Sequence, residues 1–258
     1  MRTCSALFLL LVALSDARAA APLVVHVTVA LCDNEHQGIV PVPRAIGNGR
    51  DARNNLYWGA DFGVKSWLLR HEKWRKIDAA RGDDARILER LVASKVIAGR
   101  TVYIVADAWD GAEIRGAINA FLEGAAGVRR GQIQADGVTL GTGGAADIVA
   151  YVGHDGLMEF AATARLTGGV GGRPRSIVLA CASRQYFEAP LREGRSEPLL
   201  LTTNLMAPEA YTLTAAIEAF VKGQDVREAA ARAYDAHQGC GMRGARRLFY
   251  APGGPREP

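Results

Sequence analysis

The amino-acid sequence predicts an α/β fold, a three-layer sandwich with a mostly parallel central sheet. The chain has 258 residues, of which 49% are hydrophobic and 22% are charged, a composition that supports one principal folded domain. Short, continuously apolar segments alternate along the chain with segments of helical periodicity. Buried strands separated by helices are typical of a parallel sheet that is covered on both faces.

Five segments have the apolar, β-branched character of buried strands. They are residues 22–31 (PLVVHVTVAL), 101–109 (TVYIVADAW), 146–152 (ADIVAYV), 176–180 (SIVLA) and 198–204 (PLLLTTN). Residues 86–97 (RILERLVASKVI) fit a helix as well as a strand, so both alternatives stay open.

Four segments predict helices, because their apolar residues recur at helical spacing. They are residues 54–69 (NNLYWGADFGVKSWLL), residues 110–127, which begin at an Asp-Gly pair and end at a glycine, residues 208–222, which begin with proline and precede a glycine, and residues 225–237. The long Gly- and Pro-rich segment after the first strand predicts a functional loop, in which Glu35 and His36 are surface residues or members of a site.

The first residues predict a secretory signal peptide, residues 1–19, rather than part of the fold. Arg2 precedes an apolar run that is too short to span a bilayer, and Ala17-Arg18-Ala19 provides small residues for cleavage. Residues 20–250 then form the α/β domain, and residues 251–258 (APGGPREP) a disordered tail. The expected location is periplasmic or secreted.

The charge pattern argues against two classes of partner. The formal net charge is +4, and the basic residues are spread along the chain rather than gathered in a block. We therefore expect no nucleic-acid partner, and no membrane attachment after the signal peptide is removed. The pattern leaves the oligomeric state open.

The sequence offers no strong signal for a metal or a cofactor. It has no CxxC or His-rich spacing, so a zinc site is not expected. Gly141-x-Gly143-x-x-Ala146 fits a dinucleotide fingerprint formally, but it precedes a predicted strand instead of following one. Without the signal peptide the chain keeps Cys32, Cys181 and Cys240, and either one disulfide with one free thiol or three free thiols fits this odd number.

A histidine and a cysteine follow two successive predicted strands. His154 lies just after residues 146–152 and Cys181 just after residues 176–180, while Asn34 follows the first strand. Ligands of open α/β sheets bind at the carboxyl ends of the strands, so parallel strands would bring these side chains to one edge. A thiol beside an imidazole can act as a nucleophile toward an acyl carbon.

These segments resemble the caspase-like cysteine peptidases, and among them the legumain and GPI-transamidase type. YVGHDGLMEF (151–160) is similar to the family's His-Gly segment, and VLACASRQYF (178–187) is similar to its Ala-Cys-x-Ser segment. The resemblance covers mainly three short segments between residues 22 and 205. It implies a caspase-like fold and a peptide or protein substrate, with no cofactor and no metal.

The resemblance also implies roles for single residues. Cys181 is the nucleophile, His154 is the general acid and base, and Asn34 orients the histidine ring. The amides of Gly156 and Cys181 hold the oxyanion, and the candidate substrate-binding residues are Asp33, Asp155 and Ser183. Asp33 would favour a basic substrate residue.

Two departures from the family bear on activity. Asp155 stands between the histidine and the next glycine, which leaves the amide of Asp155 or of Gly156 as the oxyanion donor, and the 27-residue gap from His154 to Cys181 is short for the family. The alternative function is therefore a catalytically inactive binding protein of the same fold that holds a peptide, a glycan or a protein partner in the strand-end cleft.

Overall fold

Helices cover both faces of an eight-stranded sheet in the computed structural model, which describes residues 21–78 and 84–252. The predicted signal peptide lies outside the described residues, as does the predicted tail beyond residue 252. Within the described part, the α/β class and the mostly parallel sheet are confirmed.

The strands and helices follow one another along the chain in a mixed order. The strands are β1 (Leu23–Ala30), β2 (Arg75–Ile77), β3 (Ile87–Ile97), β4 (Arg100–Trp109), β5 (Arg130–Ala135), β6 (Val138–Gly143), β7 (Ile148–Val152), β8 (Arg175–Leu179), β9 (Pro198–Thr202) and β10 (Phe249–Tyr250). The helices are α1 (Val64–Ser66), which continues as a π-helical turn (Trp67–His71), α2 (Ile114–Ala125), α3 (Ser183–Glu193), α4 (Ala210–Val221), α5 (Val226–Gln238) and α6 (Met242–Leu248).

The middle of the sheet is parallel and its edges are antiparallel. The strand order is β10-β9-β8-β7-β1-β4-β3-β2, and the five strands from β9 to β4 all run in the same direction. These five are the five segments that the sequence predicts as buried strands. The antiparallel strands are β3 and β2 on one side and β10 on the other.

Two hydrophobic cores lie on opposite faces of the sheet. Alternate residues of β1 serve the two faces: Val25, Val27 and Val29 face the core that α4 and α5 cover, whereas Val24 and Ala30 belong to the core under α2 and α3. A strand that is buried on both faces needs this continuously apolar sequence.

The prediction of a helix over residues 54–69 is largely wrong. Residues 52–62 form turns, and helix begins only at Val64. The buried Asn55 side chain causes the difference, because its oxygen accepts from the Cys32 amide at 3.0 Å and its nitrogen donates to the Cys32 carbonyl at 2.8 Å. These two bonds tie the segment to the end of β1. The open segment, residues 86–97, is the strand β3.

Candidate functional site

His154 and Cys181 follow adjacent parallel strands at the same edge of the sheet. In the register of β7 and β8, Val152 pairs with Leu179, and each reactive residue lies two positions beyond its member of that pair. The Gly153 amide extends the ladder by donating to the Leu179 carbonyl at 3.2 Å. Neighbouring strands are about 4.8 Å apart, so the two segments leave the sheet side by side.

Cys181 lies on the tight turn between β8 and α3. The next residue, Ala182, has a φ of 47°, in the left-handed region, and caps the eleven-residue helix. The thiol is partly exposed and free. The Met206 amide approaches Sγ at 3.5 Å, and the Met206 carbonyl lies 3.6 Å from it. The thiol thus lies beside the amino end of α3, which carries a partial positive charge.

His154 is held at one ring nitrogen by a residue that the sequence pattern did not identify. Nε2 lies 2.5 Å from Oε1 of Glu159, and the carbonyl of His154 accepts from the Tyr151 hydroxyl at 2.7 Å. The side chain of His154 is only 9% exposed. Nδ1 has no hydrogen-bond partner among the described residues. Because it is also absent from the fully buried unpaired atoms of these residues, it keeps some contact with solvent.

A glycine is required between β7 and this histidine. Gly153 has a φ of +154°, and a Cβ at this position would lie 3.0 Å from the Ala30 carbonyl oxygen of β1. The backbone therefore passes close to the neighbouring strand as it leaves the sheet, which only glycine permits without strain.

The backbone amides at the site correct one predicted role. The Gly156 amide donates to the His154 carbonyl at 3.1 Å, so it is already used. By contrast, the amides of Asp155 and Cys181 have no acceptor among the described residues. Asp155 has no exposed surface, whereas Cys181 is partly exposed, so the oxyanion donor is better assigned to the Cys181 amide alone.

Asn34 does not orient the histidine in this structure. Its side chain donates to the Val42 carbonyl at 2.8 Å and accepts from the Val42 amide at 3.0 Å, which closes the loop after β1. The His154 ring is bonded through Nε2 to Glu159 instead. The prediction failed because an amide that follows a strand can satisfy the backbone of its own loop as readily as a distant ring.

Asp33 has local partners as well. Its carboxylate accepts from the Glu35 amide at 2.8 Å and lies 2.9 Å from Nδ1 of His36. Asp33 lines a cavity of about 320 Å³ in the loop after β1, which also includes Arg44 and Arg50. Because this carboxylate is already bonded and only 5% exposed, the predicted preference for a basic substrate residue loses its support.

Two predicted substrate-binding residues are buried and serve the fold. Asp155 has no exposed surface, and its Oδ1 accepts from the Leu157 amide at 3.0 Å. Burial, with the Glu159 charge adding to it, raises the pKa of Asp155 to about 7. The Ser183 hydroxyl, also buried, donates to the Val178 carbonyl at 3.1 Å and accepts from the Thr202 amide at 2.9 Å. Because neither side chain is exposed, the predicted substrate-binding role of each loses its support.

The remaining cysteines differ from Cys181 in their surroundings. Cys32 is buried, which raises the pKa of its thiol to about 11, whereas Cys240 is exposed. The three cysteines among the described residues are all free, which fits the alternative with three free thiols. Trp58, Trp67 and Trp74 pack in the core that α4 and α5 cover.

Neither a metal site nor a membrane-spanning segment is found in the described part of the chain. Its His, Cys, Asp and Glu side chains form no group of three or more that could hold a metal ion. None of the helices among residues 21–78 and 84–252 is long and apolar enough to cross a bilayer. Comparisons with protein-family models, with curated proteins and with solved structures found no match for this chain.

Proposed function

We propose that this chain is an exported cysteine-dependent peptidase or amidase of caspase-like fold. Cys181 is the nucleophile and His154 is the general acid and base. The amide of Cys181 binds the oxyanion. The substrate is a peptide or a protein, because the reaction requires an acyl carbon bonded to an amine.

One observation carries this proposal, namely the register of β7 and β8. A thiol and an imidazole follow adjacent parallel strands at equal distances beyond one paired position, Val152 with Leu179. The partly exposed Cys181 and the accessible Nδ1 of His154 add the chemical requirements, a reachable thiol and an unoccupied base. The caspase-like resemblance predicts the same two residues from the sequence.

The proposed reaction has two steps. The thiol proton of Cys181 passes to His154, and the sulfur attacks the carbonyl carbon to form a tetrahedral oxyanion. The amide C–N bond then breaks, the leaving amine takes the proton from His154, and an acyl-enzyme remains. In the second step His154 removes a proton from water, which attacks the thioester, and the acid leaves as the thiol is restored.

The location of the protein rests on the sequence alone. The apolar run after Arg2 and the small residues at 17–19 support export by a signal peptide, and hence a periplasmic or secreted enzyme. A thiol nucleophile in an oxidising compartment must avoid disulfide formation. The burial of Cys32 helps, because a buried neutral thiol is a poor partner for exchange.

The test is the rate at which iodoacetamide alkylates each cysteine of the mature protein, followed by mass spectrometry. We expect Cys181 to react at neutral pH about tenfold faster than the exposed Cys240, because only a thiolate reacts and His154 promotes its formation. Cys240 provides the control within the same molecule. In His154→Ala the Cys181 rate should fall to the level of Cys240 while the Cys240 rate stays unchanged.

Equal alkylation of Cys181 and Cys240 in the wild type would overturn the peptidase and favour the inactive binding protein. Hydrolysis of a mixed fluorogenic peptide library provides the second measurement. We expect turnover that Cys181→Ser abolishes, since a serine hydroxyl is a far weaker nucleophile than a thiolate in such a site.

A further inference from the structure

One carboxylate oxygen is shared between two parts of the proposed site. Oε1 of Glu159 lies 2.5 Å from Nε2 of His154 and also accepts from the Gly38 amide at 2.9 Å. His154 follows β7, whereas Gly38 belongs to the loop after β1. A single side chain therefore joins the imidazole to the loop that follows the neighbouring strand.

The backbone after His154 is folded so that Glu159 returns to the ring. A 3-10 turn spans Gly156–Met158, and the Glu159 amide donates to the Gly156 carbonyl at 2.9 Å. The ring of Phe160 covers Gly156, where a Cβ would lie 2.6 Å from the ring. The Arg115 guanidinium lies 4.0 Å from the centre of the same ring. This packing restricts the position of Glu159.

The contact with Glu159 assigns a role to each ring nitrogen of His154. An ionised carboxylate only accepts hydrogen bonds, so Nε2 carries the proton and Nδ1 is the basic nitrogen. Nδ1 is also the nitrogen without a partner among the described residues. The base that the proposed reaction needs is therefore Nδ1.

We propose that Glu159 is the positioning residue of this site: its carboxylate holds His154 through Nε2, and the Gly38 amide holds the carboxylate. The inference rests on the proposed function of His154 and Cys181. Glu159 stabilises the imidazolium that forms when Nδ1 takes the thiol proton. It thereby has the role that the family resemblance implies for Asn34, whose side chain is bonded to Val42.

Other titratable groups lie on the segments that carry the proposed site, and the experiment must separate them from Glu159. Asp155 precedes the 3-10 turn, Tyr151 of β7 donates to the His154 carbonyl, and Cys181 follows β8. The loop after β1 contributes the uncharged Gly38 amide. Only Asp155 among these has a carboxyl group that titrates near neutral pH.

The test is the alkylation rate of Cys181 as a function of pH in the full mature chain. In Glu159→Gln the imidazolium loses its carboxylate, so the thiolate forms only at higher pH. We expect the midpoint of the profile to rise by about one pH unit and the rate at neutral pH to fall about tenfold. The same shift between wild type and Glu159→Gln should be seen when both proteins also carry Asp155→Asn.

Gly38→Ala supplies an independent perturbation that keeps the carboxylate. The added Cβ would lie 2.2 Å from Oε1 of Glu159, so the side chain must move, whereas the φ of Gly38 is not in the positive region and permits alanine. We expect a profile displaced in the same direction as that of Glu159→Gln. Glu188→Gln, which removes the exposed partner of Arg184, is the matched control and should leave the profile unchanged.

The outcomes separate this inference from the function on which it rests. If Glu159→Gln and Gly38→Ala both remain folded by thermal unfolding and both give the wild-type profile, while His154→Ala slows Cys181, Glu159 is not a positioning residue and the enzyme proposal stands. If His154→Ala also gives the wild-type profile, the proposed function fails.

Discussion

Asp155 combines complete burial with an unpaired carboxylate oxygen. Oδ1 accepts from the Leu157 amide, but Oδ2 has no partner among the described residues. A buried carboxyl with an unpaired oxygen favours the protonated form, which explains the direction of its pKa. A residue at the proposed site thus lowers stability at high pH.

The stability of Asp155→Asn should depend on pH in a defined way. The pKa of Asp155 is about 7 in the folded chain against an ordinary value of 3.8, so the folded state loses stability as the pH rises between these values. The difference between the two pKa values corresponds to a loss of at most about 4 kcal/mol in the free energy of unfolding above pH 7. Urea unfolding should show the variant more stable than wild type at pH 8 and equal to it near pH 4. Equal stability at both pH values would contradict the burial argument.

The turn that carries Cys181 depends on a buried network between β8, α3 and β9. The Ser183 amide donates to Oγ1 of Thr202 at 3.0 Å, and the Thr202 amide donates to the Ser183 hydroxyl at 2.9 Å. These bonds join the first residue of α3 to the last residue of β9. They fix the left-handed turn at Ala182 and with it the position of the thiol.

We expect Ser183→Ala to destabilise the protein by about 1–3 kcal/mol, because the Thr202 amide is left without its acceptor in the core. Ser176→Ala is the matched control. Ser176 is equally buried, but its hydroxyl has no partner in the described chain, so its removal should cost little. Urea unfolding of both variants tests this. If Ser183 instead bound the substrate, Ser183→Ala would raise KM and leave the free energy of unfolding unchanged.

The elements that the sequence predicted are those whose burial is encoded locally. The central strands are continuously apolar, so composition alone identified them. The helix α3 (SRQYFEAPLRE) was missed, because it is polar and contains Pro190. The hairpin of β5 and β6 was missed despite a strong signal, the Asp136-Gly137 turn, in which both residues have positive φ.

The residues of the proposed site also differ in whether the local sequence or only the tertiary structure identifies them. The location of His154 and Cys181 at one edge of the sheet was predictable, because strand ends mark that edge in a parallel sheet. Glu159 was not, since it meets the ring only through a 3-10 turn that no periodic pattern encodes. The one signal in the sequence was its position as a second acidic residue in HDGLMEF.

At the scale of the whole molecule, a buried ionic network joins three strands of the sheet. Asp107 of β4 accepts from Arg90 of β3 at 2.6 and 2.7 Å and lies 3.1 Å from Nε2 of His26 on β1. The Gly143 amide donates to Nδ1 of the same histidine, so Nε2 carries the proton. Burial alone would raise the pKa of Asp107, but these hydrogen bonds outweigh it and lower the pKa.

Asp107→Asn should destabilise the chain by about 3–5 kcal/mol, because it removes the buried carboxylate that accepts from Arg90 and lies beside His26. The lowered pKa adds a pH dependence: the wild-type contribution is present above pH 4 and is lost as the pH falls through the folded pKa. Asp136→Asn removes the exposed partner of Arg75 and should cost far less, because solvent screens this ion pair. If urea unfolding showed similar losses of stability for the two variants, the buried network would not be more important for stability than an exposed ion pair.

The two edge strands of the sheet are poorly suited to pair with another copy of the chain. The strand β10 has two residues, and β2 has three, of which Arg75 and Lys76 are exposed and basic. An unpaired strand is a template for another chain, and a short or positively charged one is a poor template. Lateral growth of this sheet into fibres or swapped dimers is therefore disfavoured at both borders.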